Sequence, residues 1–170
     1  AALTALLASR PALQRGVSLL GAGISLLCSA SMVYLAAQGQ PLQVTFGIWA
    51  QPYGIGFSVD RLSAIMLLIA SLIGLVSLIF LAGDTTAGSS GRFAMQIPLM
   101  HGLLAGVGGT FATADIFYLY VWFEVMLISS LGLISGGAKL NQLEGALKYM
   151  SLNMLATMML LTAVSLVYGL

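Results

Sequence analysis

Charge is what this sequence has least of. Only 6% of its 170 residues are Asp, Glu, Lys or Arg, against 59% hydrophobic, where soluble domains carry roughly a quarter charged residues. Water is therefore not its main solvent. Six basic and five acidic residues leave a formal charge of +1; no basic patch could neutralise several phosphates, so nucleic acid is excluded as a partner. Cysteine and histidine occur once each, as Cys28 and His101, which rules out an intrachain disulfide and any Cys/His cluster with metal-site spacing. Cys28, inside an apolar run, is expected to pack in the core. Nucleophile elbow, phosphate loop and carboxylate pair at catalytic spacing are all missing. No cofactor is expected, and the chain does not read as an enzyme.

What is present is length without charge. A hydrocarbon core of about 30 Å needs roughly 20 apolar residues in a helix, and five complete runs of that kind occur, at about 16–37, 61–82, 94–113, 116–135 and 143–169. Residues 1–8 (AALTALLA) are too short to span and read as the end of a helix. The expected fold is an all-α integral membrane bundle, polytopic, with residues 1–170 forming one transmembrane region from the end of helix 1 through helix 6. A first residue Ala and a last residue Leu170 within an apolar run suggest a piece of a longer chain. Arg10 and Arg15 follow the first apolar stretch, the wrong order for a signal peptide.

The basic residues set an orientation. Arg10, Arg15, Arg92 and Lys139 fall in segments on one side of the predicted spans, which by the positive-inside rule is the cytoplasmic side of the cell's inner membrane. The other side has Arg61, next to Asp60. The outer segment Gln38 to Val59 holds two prolines and four glycines around LQVTF and IGFSV, a pattern for a short β-hairpin between helices 2 and 3, with Trp49 and Tyr53 near the headgroups. The connector GDTTAGSSG, 83–91, is small and polar and takes no chemistry. Pro98 marks either the first turn of the third run or a bend in it.

Ionisable groups inside a membrane cost roughly 2.5–3.5 kcal/mol on insertion scales and are functional hypotheses by default. Glu124 in VWFEVML stands eight residues into its run, about 12 Å from the outer end, with apolar neighbours, and is the candidate proton-exchanging carboxyl. Lys148 in GALKYMS lies four residues after Glu144 and either pairs with it, snorkels to the headgroups, or joins a polar path toward Glu124. His101 is either a satisfied core residue or a relay, since free imidazole titrates near neutrality. Asp60 and Asp115 precede apolar runs and are expected to cap helices, and Asn141 with Glu144 resembles a capping box. Glycines 102, 106 and 109 on one run and 132 and 136 on the next form a stripe for close helix packing. The nine methionines read as core filler.

Three segments, PYGIGFSVDRLSAIML, TADIFYLYVWFEVMLISS and QLEGALKYMSLN, occur in this order and resemble the D subunit of Mrp-type multisubunit cation/proton antiporters. That family is similar to the antiporter-like subunits of respiratory complex I. The resemblance runs over nearly the whole chain and is most specific around Glu124. It implies that Glu124 is the helix-five glutamate of cation/proton exchange, that Lys148 is the lysine of the helix-six motif, and that Asp60 is a structural acid heading helix three. It also implies partners: other subunits of a hetero-oligomeric complex, the lipid bilayer, protons and sodium. The family continues into a seventh helix, whose lysine partners the glutamate, and into an inverted repeat, both absent here; this stretch alone is not expected to transport.

Three functions are consistent with these residues. One is a subunit of a sodium/proton antiporter. Another is a proton-pumping subunit of a redox complex of the complex I or membrane-bound hydrogenase type, which differs in partner rather than in local chemistry. The third is a noncatalytic scaffold, against which Glu124 speaks.

Overall fold

Inside a bilayer the backbone must satisfy its own hydrogen bonds, which leaves helices as the spanning element for an open chain. A computed structural model describes residues 1–8, 10–39, 42–46, 54–83, 92–136 and 140–169, with the side chains of Arg92, Phe93, Leu140, Asn141, Gln142 and Tyr168 outside the description. In chain order the elements are α1 (Ala2–Leu6), α2 (Pro11–Ala37), β1 (Leu42–Phe46), β2 (Ile55–Val59), α3 (Arg61–Gly83), α4 (Arg92–Ala112), α5 (Ile116–Ser135) and α6 (Leu140–Tyr168). The expected helical bundle with one hairpin is what forms. Trp49, Tyr53, Lys139 and nearly all of the 83–91 connector lie outside the described residues.

Two boundaries differ from the sequence expectation for physical reasons. α2 starts five residues early because Pro11 sits at its first turn, where a fixed φ and a missing N–H cost nothing; Arg15 is thus helical rather than in a loop. α6 starts at Leu140, so Asn141 lies inside the helix instead of capping it. Of the two expectations for Pro98, a place in the first turn is overturned, since α4 starts at Arg92 and runs through Pro98.

Successive helices pack antiparallel, α2 on α3, α3 on α4, α4 on α5 and α5 on α6, while α1 lies against α2 and α4. Four of them, α2, α3, α5 and the stretch Leu143–Val167 of α6, are long and apolar enough to cross a membrane by length and composition. α4 has the length for a fifth run but less hydropathy, carrying Gln96, His101 and Thr110. It touches α1, α2, α3, α5 and β2, and a helix enclosed by protein need not be apolar all round.

The bundle is packed with small and polar residues and faces outward with large apolar ones. Ala22, Ala36, Ala64, Ala146, Ser18, Ser29, Ser129 and Thr157 are buried, while Leu20, Leu27, Phe80, Ile128 and Leu152 are exposed. Lipid is as apolar as Leu, so nothing drives Leu inward, and small residues allow close backbone approach. Cys28 follows this rule against expectation: it is exposed, because the inward position beside it is taken by Ser29, whose Oγ meets Ser71 Oγ at 2.7 Å.

The glycine stripe performs as expected at four positions. A methyl at Gly106 would stand 2.8 Å from the Met126 backbone N, one at Gly102 2.6 Å from Ser129 Oγ, and one at Gly132 2.8 Å from Leu99 Cδ2; Gly109 lies against the Trp122 ring. Gly136 instead ends α5, its N–H bonded to Gly132 O.

The strands pair antiparallel with Leu42 opposite Val59 and Phe46 opposite Ile55. The hairpin is docked. Phe57 bridges Thr113 in the α4–α5 link, Ala114 N donates to Gly56 O at 3.1 Å, and the Phe57 ring lies 6.3 Å from Trp122. Gly39, at φ 87°, takes the left-handed conformation that ends α2, which few residues adopt as freely.

Candidate functional site

Asp60 and Asp115 do what the local sequence suggests. Asp60 Oδ1 accepts from Ser63 N at 2.7 Å and Asp115 Oδ1 from Phe117 N at 2.7 Å, satisfying amides that the first turn of a helix leaves open. The Ser63 backbone N–H first, and then its hydroxyl, hold the exposed Asp60 carboxyl below the usual carboxylate range. Beside it Arg61 Nε donates to Ala36 O at 3.2 Å, placing a cation at the C-terminal end of α2, where the helix dipole favours it.

The glycine contacts fix the register between α4 and α5. Leu99 faces Gly132, Gly102 faces Ser129, Gly106 faces Met126 and Gly109 faces Trp122, one consistent antiparallel alignment. Glu124 is therefore level with Val107, and His101 is level with Ser130. Six residues of helical rise put the two about 9 Å apart along the axis. Direction separates them further. Trp122, Met126 and Ser129 point at α4, so Glu124, midway between the first two, points away from it. It shares its side of α5 with exposed Phe117, Val121 and Ile128. Glu124 is half-buried and makes no hydrogen bond or ion pair among the described residues.

Lys148 takes the i,i+4 partner anticipated for it. Its Nζ lies 2.7 Å from Glu144 Oε1, with the two side chains 72% and 68% exposed. α6 turns Ala146, Thr157 and Val164 inward, and Glu144 and Lys148 occupy the opposite side, bordering a shallow groove with Leu147, Met150, Ser151 and Met154. Tyr149 Oη meets Ser130 Oγ at 3.3 Å, which sets Lys148 near the level of His101. His101 is half-buried and its Nε2 lies 2.8 Å from Ser18 Oγ. The three candidates share no hydrogen bond with one another.

Sequence reasoning missed a polar seam that the fold assembles. Gln14, fully buried, donates from Nε2 to Thr4 O and to Ala94 O, both at 2.8 Å. Its signal was available in two spacings: Gln14 and Ser18 stand one turn apart, and Ala94 precedes Pro98 by four residues. The described residues contain no group of three or more His, Cys, Asp or Glu side chains able to hold a metal.

No family model matches the chain. The Na(+)/H(+) antiporter D subunit of Alkalihalophilus pseudofirmus is 35% identical over 164 residues, covering 96% of this chain and 33% of that protein. An antiporter subunit of Staphylococcus haemolyticus named mnhD2 is 34% identical over 146 residues, 85% of this chain and 29% of its own length. Among solved structures, a chain of the Mrp complex from a Dietzia species matches with TM-score 0.83 and 31% identity, over 99% of this chain and 33% of that one. A chain of the archaeal membrane-bound sulfane sulfur reductase matches with TM-score 0.85 over 98% of this chain and 35% of that one; at 23% identity it shows the shared fold alone. The chain spans about a third of the length of these relatives. Sequence and fold therefore align, over nearly the whole chain, with about a third of the D subunits of Mrp-type antiporters, the proteins this chain is similar to.

Proposed function

We propose that this chain contributes part of the transmembrane proton path in a subunit of a multisubunit sodium/proton antiporter, as a secondary transporter component rather than an enzyme. Glu124 carries the reading. It is a carboxyl in the middle of an apolar span, turned to the side of α5 that α4 does not cover, with no partner among the described residues. A lipid-facing carboxylate would be costly there, which supports a protein neighbour and a proton that comes and goes. Lys148 with Glu144, on the outward side of α6, supports the same view of a protein-covered face and is proposed as a second group on the path; His101 is the third.

In this reading residues 1–170 are one transmembrane region of a longer subunit, partnered by other subunits of the complex in the inner membrane. Arg10, Arg15, Arg92 and Lys139 then mark the cytoplasmic ends, and the hairpin lies outside.

The test uses everted vesicles carrying the full complex. Sodium should collapse an imposed pH gradient in wild type, and Glu124→Gln and Glu124→Ala at matched expression should lose the response. Exchange that survives both substitutions would leave the chain a scaffold. Vesicles that ignore sodium but acidify on addition of an electron donor would make it a subunit of a redox-driven pump.

A further inference from the structure

The most deeply buried polar groups gather where α1, α2 and α4 meet. Thr4 is 3% exposed, Gln14 0% and Ser18 2%, and they lie against Ala94 and His101 of α4. Gln14 and Ser18 are one turn apart on α2, Ala94 and His101 two turns apart on α4, so these two parallel helices meet along a single polar seam. Both amide protons of Gln14 are used, by Thr4 O and Ala94 O. Its Oε1, equally buried, has no donor among the described residues. Pro98 accounts for what Nε2 does, because Ala94 O is the carbonyl that a proline four residues on cannot serve. Nothing in the backbone accounts for Oε1. A buried acceptor with no protein donor is where internal water is found.

We propose that this junction is a hydrated proton-exchange site, with His101 as its titrating group, Ser18 Oγ as the partner that orients the imidazole, and Gln14 Oε1 as the anchor for water. The inference rests on the antiporter reading and deepens it, giving His101, the third group named there, a hydrated site of its own. A hydronium in the junction gives its proton to the imidazole nitrogen not held by Ser18, leaving water and an imidazolium; release is the reverse, and only N–H and O–H bonds change. α1 brings no ionisable side chain. α2 brings Arg10 and Arg15, the latter held by its own interactions. α3 brings Arg61 only, at the far end of the bundle. α5 brings Glu124, about 9 Å along the axis and turned away from α4, so the junction lies beside the Glu124 route and does not hand protons straight to it.

The experiment follows the imidazole itself in the full complex, reconstituted in nanodiscs with 15N-labelled histidine, the His101 signal being assigned by its loss in His101→Gln. The signal should titrate between about pH 5 and 8, the range in which imidazoles change charge. Ser18→Ala should move its midpoint by about half a pH unit or more, the size of one lost hydrogen bond. Ser18→Thr should restore it. A signal that stays flat over this range, or a midpoint that Ser18→Ala leaves in place, overturns the proposal. The readout does not depend on transport: an imidazole that titrates as stated in a complex without sodium exchange keeps the site and removes the antiporter reading.

Discussion

Gln14 compensates Pro98 across the α2–α4 interface. Pro98 has no N–H to give to Ala94 O, and the Gln14 amide supplies the missing donor at 2.8 Å. Inside a membrane an unserved carbonyl has no water to turn to, which is why a proline can stay within α4. The pair should therefore behave as one unit. Gln14→Leu should cost about 1–2 kcal/mol of bundle stability. The cost should shrink by roughly half or more in a Pro98→Ala background, where the introduced alanine has an N–H of its own to serve Ala94 O. A double-mutant cycle by detergent unfolding measures the coupling; additive effects would separate the two residues.

Gly106 offers no room to α5. Its neighbour is the Met126 backbone, 2.8 Å from where a methyl would sit, and a backbone cannot step aside as a flexible side chain can. Gly106→Ala is expected to destabilise by about 1–3 kcal/mol. Gly108→Ala, with Leu67 Cδ2 at 3.7 Å, is expected to be nearly neutral, and the difference between the two is the check.

The Glu144–Lys148 pair should matter little to folding. Exposed ion pairs one helical turn apart contribute roughly 0.3–0.5 kcal/mol, so Lys148→Ala should leave thermal unfolding in detergent almost unchanged. Sodium-driven exchange by the full complex should fall, if Lys148 belongs to the path. Unfolding and transport measured on the same preparation distinguish anchoring from participation.

Asp60 carries a pH dependence of definite sign. Its folded carboxyl is held below the ordinary range by Ser63, so the contribution is fully present above the unfolded-state value and is lost as pH falls through the lower folded one. Asp60→Asn, which keeps a capping oxygen but no charge, should lower stability somewhat at neutral pH and converge with wild type as pH falls, because the titrating contribution is gone; acid titration of unfolding for the two proteins decides it.

Much of this molecule is legible as text. Apolar run length locates the spans, since bilayer thickness sets that length, and LQVTF and IGFSV mark the strands because alternation with glycine and proline has few other outcomes. Asp60 and Asp115 announce helix starts through the amides that a first turn leaves open. Harder to read is which side of a helix faces in. α2 is apolar nearly all round, and its inward face is Gln14, Ser18, Ala22 and Ser29, the reverse of a soluble protein's habit, so the apolar run around Cys28 points to the core while the fold turns that thiol outward. The polar seam is only half legible: the spacings of Gln14 with Ser18 and of Ala94 with Pro98 mark each helix by itself, but Gln14 and Ala94 are eighty residues apart and nothing local announces their meeting. Glu124 stands out by rarity alone, and its direction becomes readable only once Gly106 and Gly109 have fixed the α4–α5 register.

The hairpin acquires a different significance from its attachment to Thr113 and Ala114. α4 and α5 are joined by three residues, and β2 is stitched to that link by a strand bridge and a hydrogen bond. A helix tied at its rim resists sliding along its own axis. The vertical position of Glu124 is then ruled off from the rim like a mark on a gauge, and any motion that exposes it alternately to the two sides has to come from what closes over its face.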